Sequence, residues 1–168
     1  MEPAWKTMIG RQLEASINMF GDVLKQCPDD LWTSNLWLDA DMPAGLSDFW
    51  YVAYHTLFWL DLYLGGEVEG FQPPKPFDLL ELDPSGLIPG RIYMREELLN
   101  YMQHCLEKCN NIVNGLTDEQ ANRLCKFSWG KITFAELLLD NIRHVQEHGA
   151  QLRMFLGQQS GIHSRWLV

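Results

Sequence analysis

The chain has 168 residues, of which 46% are hydrophobic and 21% charged, and its formal net charge is −9. A chain of this length fits one domain, residues 1–168, with a substantial core. The acidic balance argues against nucleic acid as a partner, because binding to a phosphate backbone draws on clustered lysine and arginine.

The first predicted element is a long amphipathic helix. Apolar side chains recur at spacings of three and four between Trp5 and Cys27, which is the pattern of a helix with one buried face. The sequence Pro28-Asp29-Asp30 ends this helix. Residues 1–10 lack the basic flank and the apolar run of a signal peptide, and the four cysteines form no C-x-x-C pair. We therefore expect a cytoplasmic protein with reduced thiols.

The second predicted helix is almost wholly apolar. It begins near Ser47 and Asp48, which offer a capping group, and it ends at Gly65-Gly66. Its apolar run, residues 50–64, is shorter than the roughly 20 residues that a bilayer requires. His55 and Asp61 also interrupt the run, so a buried helix is predicted and no membrane segment. Apolar groups all round this helix make it a candidate for a subunit interface.

Residues 67–90 contain five prolines and predict a long irregular crossover that spans a helix bundle. A third helix is predicted over residues 92–114. Cys105 and Cys109 fall on its apolar face, four residues apart, and we expect them in the core, although a metal pair is the alternative.

Capping boxes mark two further helix starts. Residues 117–120 open a short helix towards Cys125, and residues 133–136 start the last long helix, which runs to Leu156 and stops at Gly157. Four long helices without a strand pattern predict an all-α fold, a four-helix bundle with a long crossover connection. We expect the tail, residues 157–168, to dock on the bundle or on a neighbouring subunit.

Three histidines carry the candidate chemistry. His144 and His148 are four residues apart on the last helix and share one face, and His55 lies in the apolar second helix, where an unpartnered imidazole is costly. Three neutral imidazoles with an open coordination position are typical of catalytic zinc. A core histidine that hydrogen-bonds to the backbone or a hydroxyl group is the competing interpretation for His55.

The neighbours of these histidines are candidates for supporting roles. Asp140 and Gln151 lie on the same flank of the last helix and are expected to hold the ligands by hydrogen bonds. Tyr51 and Trp59 lie on the histidine-bearing face of the second helix and are expected to line a pocket.

Glu147 completes an H-x-x-E-H pattern with the two histidines of the last helix, which makes it a candidate general base. The protease that this pattern is known from also needs a third ligand downstream, and only twenty residues follow His148. A solvated surface glutamate is the alternative interpretation of Glu147.

Two stretches around the histidines resemble the DinB/YfiT-like family of metalloenzymes. They are HTLFWLDLYLGG from residue 55, and WGKITFAELL from residue 129 followed by H-x-x-x-H-x-x-Q-L from residue 144. The resemblance implies a four-helix bundle, often dimeric, in which His55, His144 and His148 hold a divalent metal. Imidazole suits zinc or nickel, with iron or manganese as alternatives. Characterised relatives include transferases and isomerases that use a low-molecular-weight thiol.

Two classes of function follow as hypotheses. A metal-dependent enzyme would transfer a thiol to a small electrophilic substrate that lies against Trp59 or Tyr51, or would use bound water to hydrolyse a substrate. A non-catalytic protein would use the metal to staple two helices, or would bind a small apolar ligand. A fourth protein ligand, for which Asp140 is the nearest candidate, would favour the staple.

Overall fold

The structure, a computed structural model, describes residues 4–41 and 43–168. Residues 1–3, part of the segment considered as a signal peptide, and residue 42 lie outside the described residues. Within the described ranges the chain forms these elements in order: α1 (Ala4–Gln26), α2 (Phe49–Gly65), α3 (Arg95–Gly115), α4 (Asp118–Asn122), β1 (Leu124–Phe127), β2 (Gly130–Thr133) and α5 (Phe134–Ser160).

The four long helices surround one apolar core. Helix α1 packs against α3 and α5, and α2 packs against the same two helices. Helices α2 and α5 are antiparallel, since Phe49 contacts Phe155 at one end and the Leu60 carbonyl accepts a hydrogen bond from Asn141 further along. This pairing brings the middle of α2, which contains His55, alongside the middle of α5.

Helices α2 and α3 run in the same direction. The Cys105 thiol contacts the Leu57 carbonyl, and one turn later Lys108 donates to Asp61. The connection between these two helices therefore has to return along their length. It is anchored in the core by Phe77, whose ring stacks on Tyr101 at a centroid distance of 4.4 Å.

Helix α2 is buried by the chain itself. Most of its side chains are shielded from solvent, as the all-round apolar pattern predicts. The neighbouring helices and the crossover supply the cover, and a subunit interface at α2 stays a prediction. No helix in the described ranges is both long enough and apolar enough to cross a membrane.

The chain is mostly helical, as predicted, but it differs from the all-α expectation in one place. The short helix α4 ends at Asn122 and does not reach Cys125. Residues after it form an antiparallel hairpin in which Leu124 pairs with Thr133 and Phe127 with Gly130. A strand of four residues that pairs with a single neighbour is too short for its alternation to show in the sequence.

The ends of the last two long helices differ from prediction by about a turn. Helix α3 begins at Arg95 and not at residue 92. Helix α5 continues through Gly157 to Ser160, because Gly161 adopts the left-handed conformation, with φ +67°, and caps the helix by donating to the Gly157 carbonyl. A glycine inside a helix costs only about 1 kcal/mol, which the packing of α5 offsets.

Polar groups in the α2–α3 interface form an ion pair that the sequence did not reveal. The Asp61 side chain is 1% exposed and accepts hydrogen bonds from Lys108 at 2.6 Å and Tyr101 at 3.1 Å. Cys105 and Cys109 are buried in the core, as expected. Burial raises the pKa of the Cys109 thiol to about 11, so this thiol is protonated at neutral pH.

The C-terminal tail lies against helix α1 of its own chain. Leu167 and Val168 line a shallow cleft together with Arg11, Glu14 and neighbouring residues of α1. The Trp166 side chain stays exposed.

Candidate metal centre

Three histidine rings meet between α2 and α5. His55 comes from α2, and His144 and His148 come from successive turns of α5. The ring centroids lie 5.6 Å apart for His55 and His144, 5.1 Å for His55 and His148, and 4.7 Å for the pair on α5. One ring nitrogen of each residue lies within 4.8 Å of those of the other two. This is close to the separation between ligands of a single ion, since zinc–nitrogen bonds are about 2 Å long.

A carboxylate from the crossover is hydrogen-bonded to His55. Glu81 lies in the 3-10 turn Leu80–Leu82, and its side chain is 4% exposed. Its Oε2 is 2.7 Å from Nδ1 of His55 and accepts from Nε1 of Trp59 at 3.0 Å, while its Oε1 accepts from the Tyr51 hydroxyl at 2.6 Å.

These hydrogen bonds keep Glu81 ionised. Burial alone raises the pKa of the carboxyl group, but the bonds from His55, Tyr51 and Trp59 outweigh it, and the pKa lies below its ordinary value. The hydroxyl group of Tyr51 stays protonated, because burial and the hydrogen bond to Glu81 raise its pKa.

His148 is held by its own helix. Its Nδ1 lies 2.8 Å from Oε1 of Gln151, one turn further along α5. Burial lowers the pKa of His148, and the hydrogen bond that its Nδ1 donates to Oε1 of Gln151 offsets this in part. Gln151 therefore lies where the sequence predicted a residue that orients a ligand.

The surroundings of His144 disfavour the charged form of its ring. Burial, together with the nearby rings of His148 and His55, lowers its pKa to about 3. The ring is neutral at pH 7, which is the form that binds metal ions. Its Nδ1 is buried and has no hydrogen-bond partner among the described residues.

The residues fit a divalent metal ion. Three imidazoles are a donor set that zinc, nickel and iron accept. A buried imidazole nitrogen without a partner is costly, and an ion bound to Nδ1 of His144 would be the partner that the described residues do not supply. Within the described part of the chain, the group of possible ligands around this point consists of the three histidines.

A cavity of about 330 Å³ lies beside the ligands. His55, His148 and Glu81 form part of its wall. The remaining wall is mostly aromatic or aliphatic, from Trp37, Leu46, Tyr51, Val52, Trp59 and Gly86. Tyr51 and Trp59, which the sequence placed in a pocket, therefore line it.

Two candidates from the sequence lie outside this arrangement. Asp140 was expected to hold a ligand by a hydrogen bond, but its carboxylate accepts from Arg143 at 2.9 Å and is not among the possible ligands. Arg143, an exposed side chain three residues further along α5, binds this carboxylate instead. Glu147 is exposed, and its role as a general base stays a prediction.

The hairpin of β1 and β2 contacts the site through Tyr63. Trp129, in the Trp-Gly turn, stacks on Phe127 with centroids 5.2 Å apart and donates a hydrogen bond to the Tyr63 hydroxyl. The Tyr63 ring in turn contacts His144, at a centroid distance of 6.4 Å. The Trp-Gly motif, which precedes α5, is thus connected through Tyr63 to the His144 ring, two to three turns further along that helix.

Glu81 is the residue of the site that sequence reasoning missed. It lies in the proline-rich crossover, where no periodicity predicts which face a side chain occupies. A weak signal exists in the sequence, since Glu81 stands between Leu80 and Leu82 in a segment that is otherwise irregular.

The fold and the site together define a class: a mostly helical protein in which two antiparallel helices gather three histidines into a candidate metal centre. The family model of the DinB superfamily matches residues 12–152, and the chain belongs to this superfamily. The resemblance seen in the sequence is thereby confirmed.

Among solved structures, the chain is similar to a DinB-like protein, YjoA, of Bacillus subtilis. The TM-score is 0.60, the sequence identity is 15%, and the match covers 96% of each chain. At this identity the likeness shows the fold alone. No curated protein matches the chain.

Proposed function

We propose that this protein is a divalent-metal-dependent enzyme that transfers a low-molecular-weight thiol to a small electrophilic substrate. The observation that carries the proposal is the cluster of three histidines beside an apolar cavity, in which the buried Nδ1 of His144 lacks a hydrogen-bond partner among the described residues. The choice of a thiol, and of zinc or nickel as the metal, follows from the resemblance to DinB-like relatives.

The ligand set supports an enzyme over a structural staple. Structural zinc sites are closed by four protein ligands, whereas catalytic sites keep one position open. Asp140, the nearest candidate for a fourth ligand, is bound to Arg143, and Glu81 is bound to His55, Tyr51 and Trp59. Neither is available to close the ligand shell in this arrangement.

An ion held by His55, His144 and His148 would act as a Lewis acid and lower the pKa of a thiol or water that it binds. The protein supplies the surroundings. The rings of Trp59 and Trp37 line the cavity, which favours an apolar or flat electrophile. Tyr51 contributes its ring alone, since its hydroxyl group is committed to Glu81.

In the overall reaction the S–H bond of the thiol and the bond between the electrophilic carbon and its leaving group break. A sulfur–carbon bond forms, and the leaving group departs with the proton. We further propose that the protein acts on a small molecule, not on nucleic acid, and that it works in the cytoplasm as a homodimer.

The test is turnover by protein loaded with zinc or nickel. A panel of electrophiles that carry a leaving group, including an aryl halide and an alkyl halide, is assayed with and without cysteine or glutathione. We expect thiol-dependent product that falls more than about 100-fold when the metal is removed, since metal activation contributes several kcal/mol. His144→Ala should lose this activity, and His163→Ala, which changes a histidine of the tail, should keep it.

Two outcomes would overturn the proposal that the protein is a thiol transferase. The first is turnover that does not depend on the metal. The second is product formation without a thiol, which would indicate a metal-dependent hydrolase in the same site.

A further inference from the structure

The crossover reaches the metal centre through one carboxylate. Tyr51, His55 and Trp59 follow one another at intervals of four along α2, so the three share one face of the helix. Glu81 accepts a hydrogen bond from the hydroxyl of the first and the indole nitrogen of the last, and its Oε2 lies 2.7 Å from Nδ1 of the histidine between them. A buried carboxylate that spans three side chains in this way is fixed in position.

The chemistry of these groups determines where the hydrogen of His55 lies. An ionised carboxylate can only accept hydrogen bonds, and an indole N–H can only donate. Nδ1 of His55, 2.7 Å from the carboxylate, therefore carries a hydrogen and donates it. In the neutral ring the remaining lone pair is then on Nε2, which is the atom left for a metal ion.

We propose that Glu81 is the positioning residue of the metal centre: it holds His55 in the tautomer with the hydrogen on Nδ1, and so presents Nε2 as the ligand. This inference rests on the proposed metal site. A carboxylate behind a metal-bound imidazole fixes the orientation of the ring and raises the basicity of the ligand atom. It also ties the turn Leu80–Leu82 to the centre, so the crossover contributes to metal affinity without touching the ion.

The first measurement is made without metal. Long-range proton–nitrogen NMR correlations of the imidazole rings report which nitrogen carries the hydrogen. We expect the Nδ1–H tautomer for His55 in the wild type, in Tyr51→Phe, and in Glu81→Gln, whose amide oxygen can still accept from the ring. Glu81→Ala should give a mixture of tautomers. A wild-type His55 with its hydrogen on Nε2, or an unchanged tautomer in Glu81→Ala, would overturn the proposal.

The second measurement is the dissociation constant for zinc of the same four proteins. Loss of an outer partner of a metal-bound histidine typically weakens binding by about 10- to 100-fold. We expect Glu81→Ala near the upper end of that range and Glu81→Gln, which loses only the charge, near the lower end. Tyr51→Phe removes one hydrogen bond to this carboxylate but keeps its charge and its contact with His55, so its loss of zinc affinity should be smaller than that of either Glu81 variant.

The two measurements separate this inference from the proposed function. A wild type that binds no zinc would contradict the metal site itself. A wild type that binds one zinc ion while both Glu81 variants bind it equally well would overturn only the role of Glu81. If Glu81 had only a structural role, all three variants would be less stable, but their zinc affinities would not follow the expected order.

Discussion

At the scale of single residues, the state of His144 decides what the centre can do. Its ring is enclosed between two helices beside two other imidazoles, and these surroundings make the protonated form unfavourable. A ring that stays neutral well below its usual pKa is free to bind a metal ion over a wide range of pH. The same burial has a cost that appears when the metal is absent.

We expect the metal-free protein to lose stability as the pH falls from about 6.5 towards 3. In this range His144 of the unfolded chain takes up a proton, while the folded ring, with its pKa of about 3, does not. The unfolded state then binds more protons, so the free energy of unfolding falls with decreasing pH, by up to about 1.4 kcal/mol per pH unit for this one group.

The measurement is denaturant unfolding of the metal-free protein at several pH values between 7 and 4. His144→Leu removes the titrating ring, so its stability should fall less steeply than that of the wild type over the same range. Parallel curves for the two proteins would show that the folded state does not hold His144 neutral.

At the scale of elements, the helices, their histidines and the existence of the crossover were readable from the sequence, but the positions of the side chains in the crossover were not. The pair His144 and His148 needed only the helical repeat, and Gln151 followed from the same geometry. Glu81 could not be assigned, because its position depends on how an irregular segment folds back across α2. The hairpin was not predicted for a related reason, since strands of four residues show little periodicity in the sequence.

The end of α2 depends on a glycine in the left-handed conformation. Gly66 has φ +80°, and a Cβ added there would lie 2.9 Å from Phe134 and 3.0 Å from Cζ of Arg123. Arg123 donates a hydrogen bond to the Gly65 carbonyl at 2.7 Å and so caps the helix. The left-handed backbone and the crowding both act against a side chain at this position.

Gly66→Ala should therefore destabilise the protein more than Gly70→Ala, the matched control. Gly70 also has a positive φ, +76°, but a Cβ there would meet no atom within 4 Å. The control should cost about 1 kcal/mol, the strain of the left-handed backbone alone, and Gly66→Ala at least about 1 kcal/mol more. Urea unfolding measures both. Equal losses would mean that Arg123 and Phe134 move aside freely.

At the scale of the whole molecule, the candidate metal centre joins two helices that are far apart in sequence. His55 lies in α2, the pair lies in α5, and Glu81 adds the crossover between α2 and α3. The folded chain brings these groups together and the unfolded chain does not. An ion that binds the folded state alone stabilises it by mass action, so metal binding and folding are coupled.

The most direct test of this account is zinc titration of the metal-free protein by calorimetry, with elemental analysis of the dialysed complex. We predict one zinc ion per chain for the wild type and for His163→Ala. His55→Ala, His144→Ala and His148→Ala should each bind at least about 100-fold more weakly and lose the zinc-dependent rise in melting temperature. A wild type without bound zinc, or three histidine variants that retain wild-type stoichiometry and affinity, would contradict the three-histidine metal centre.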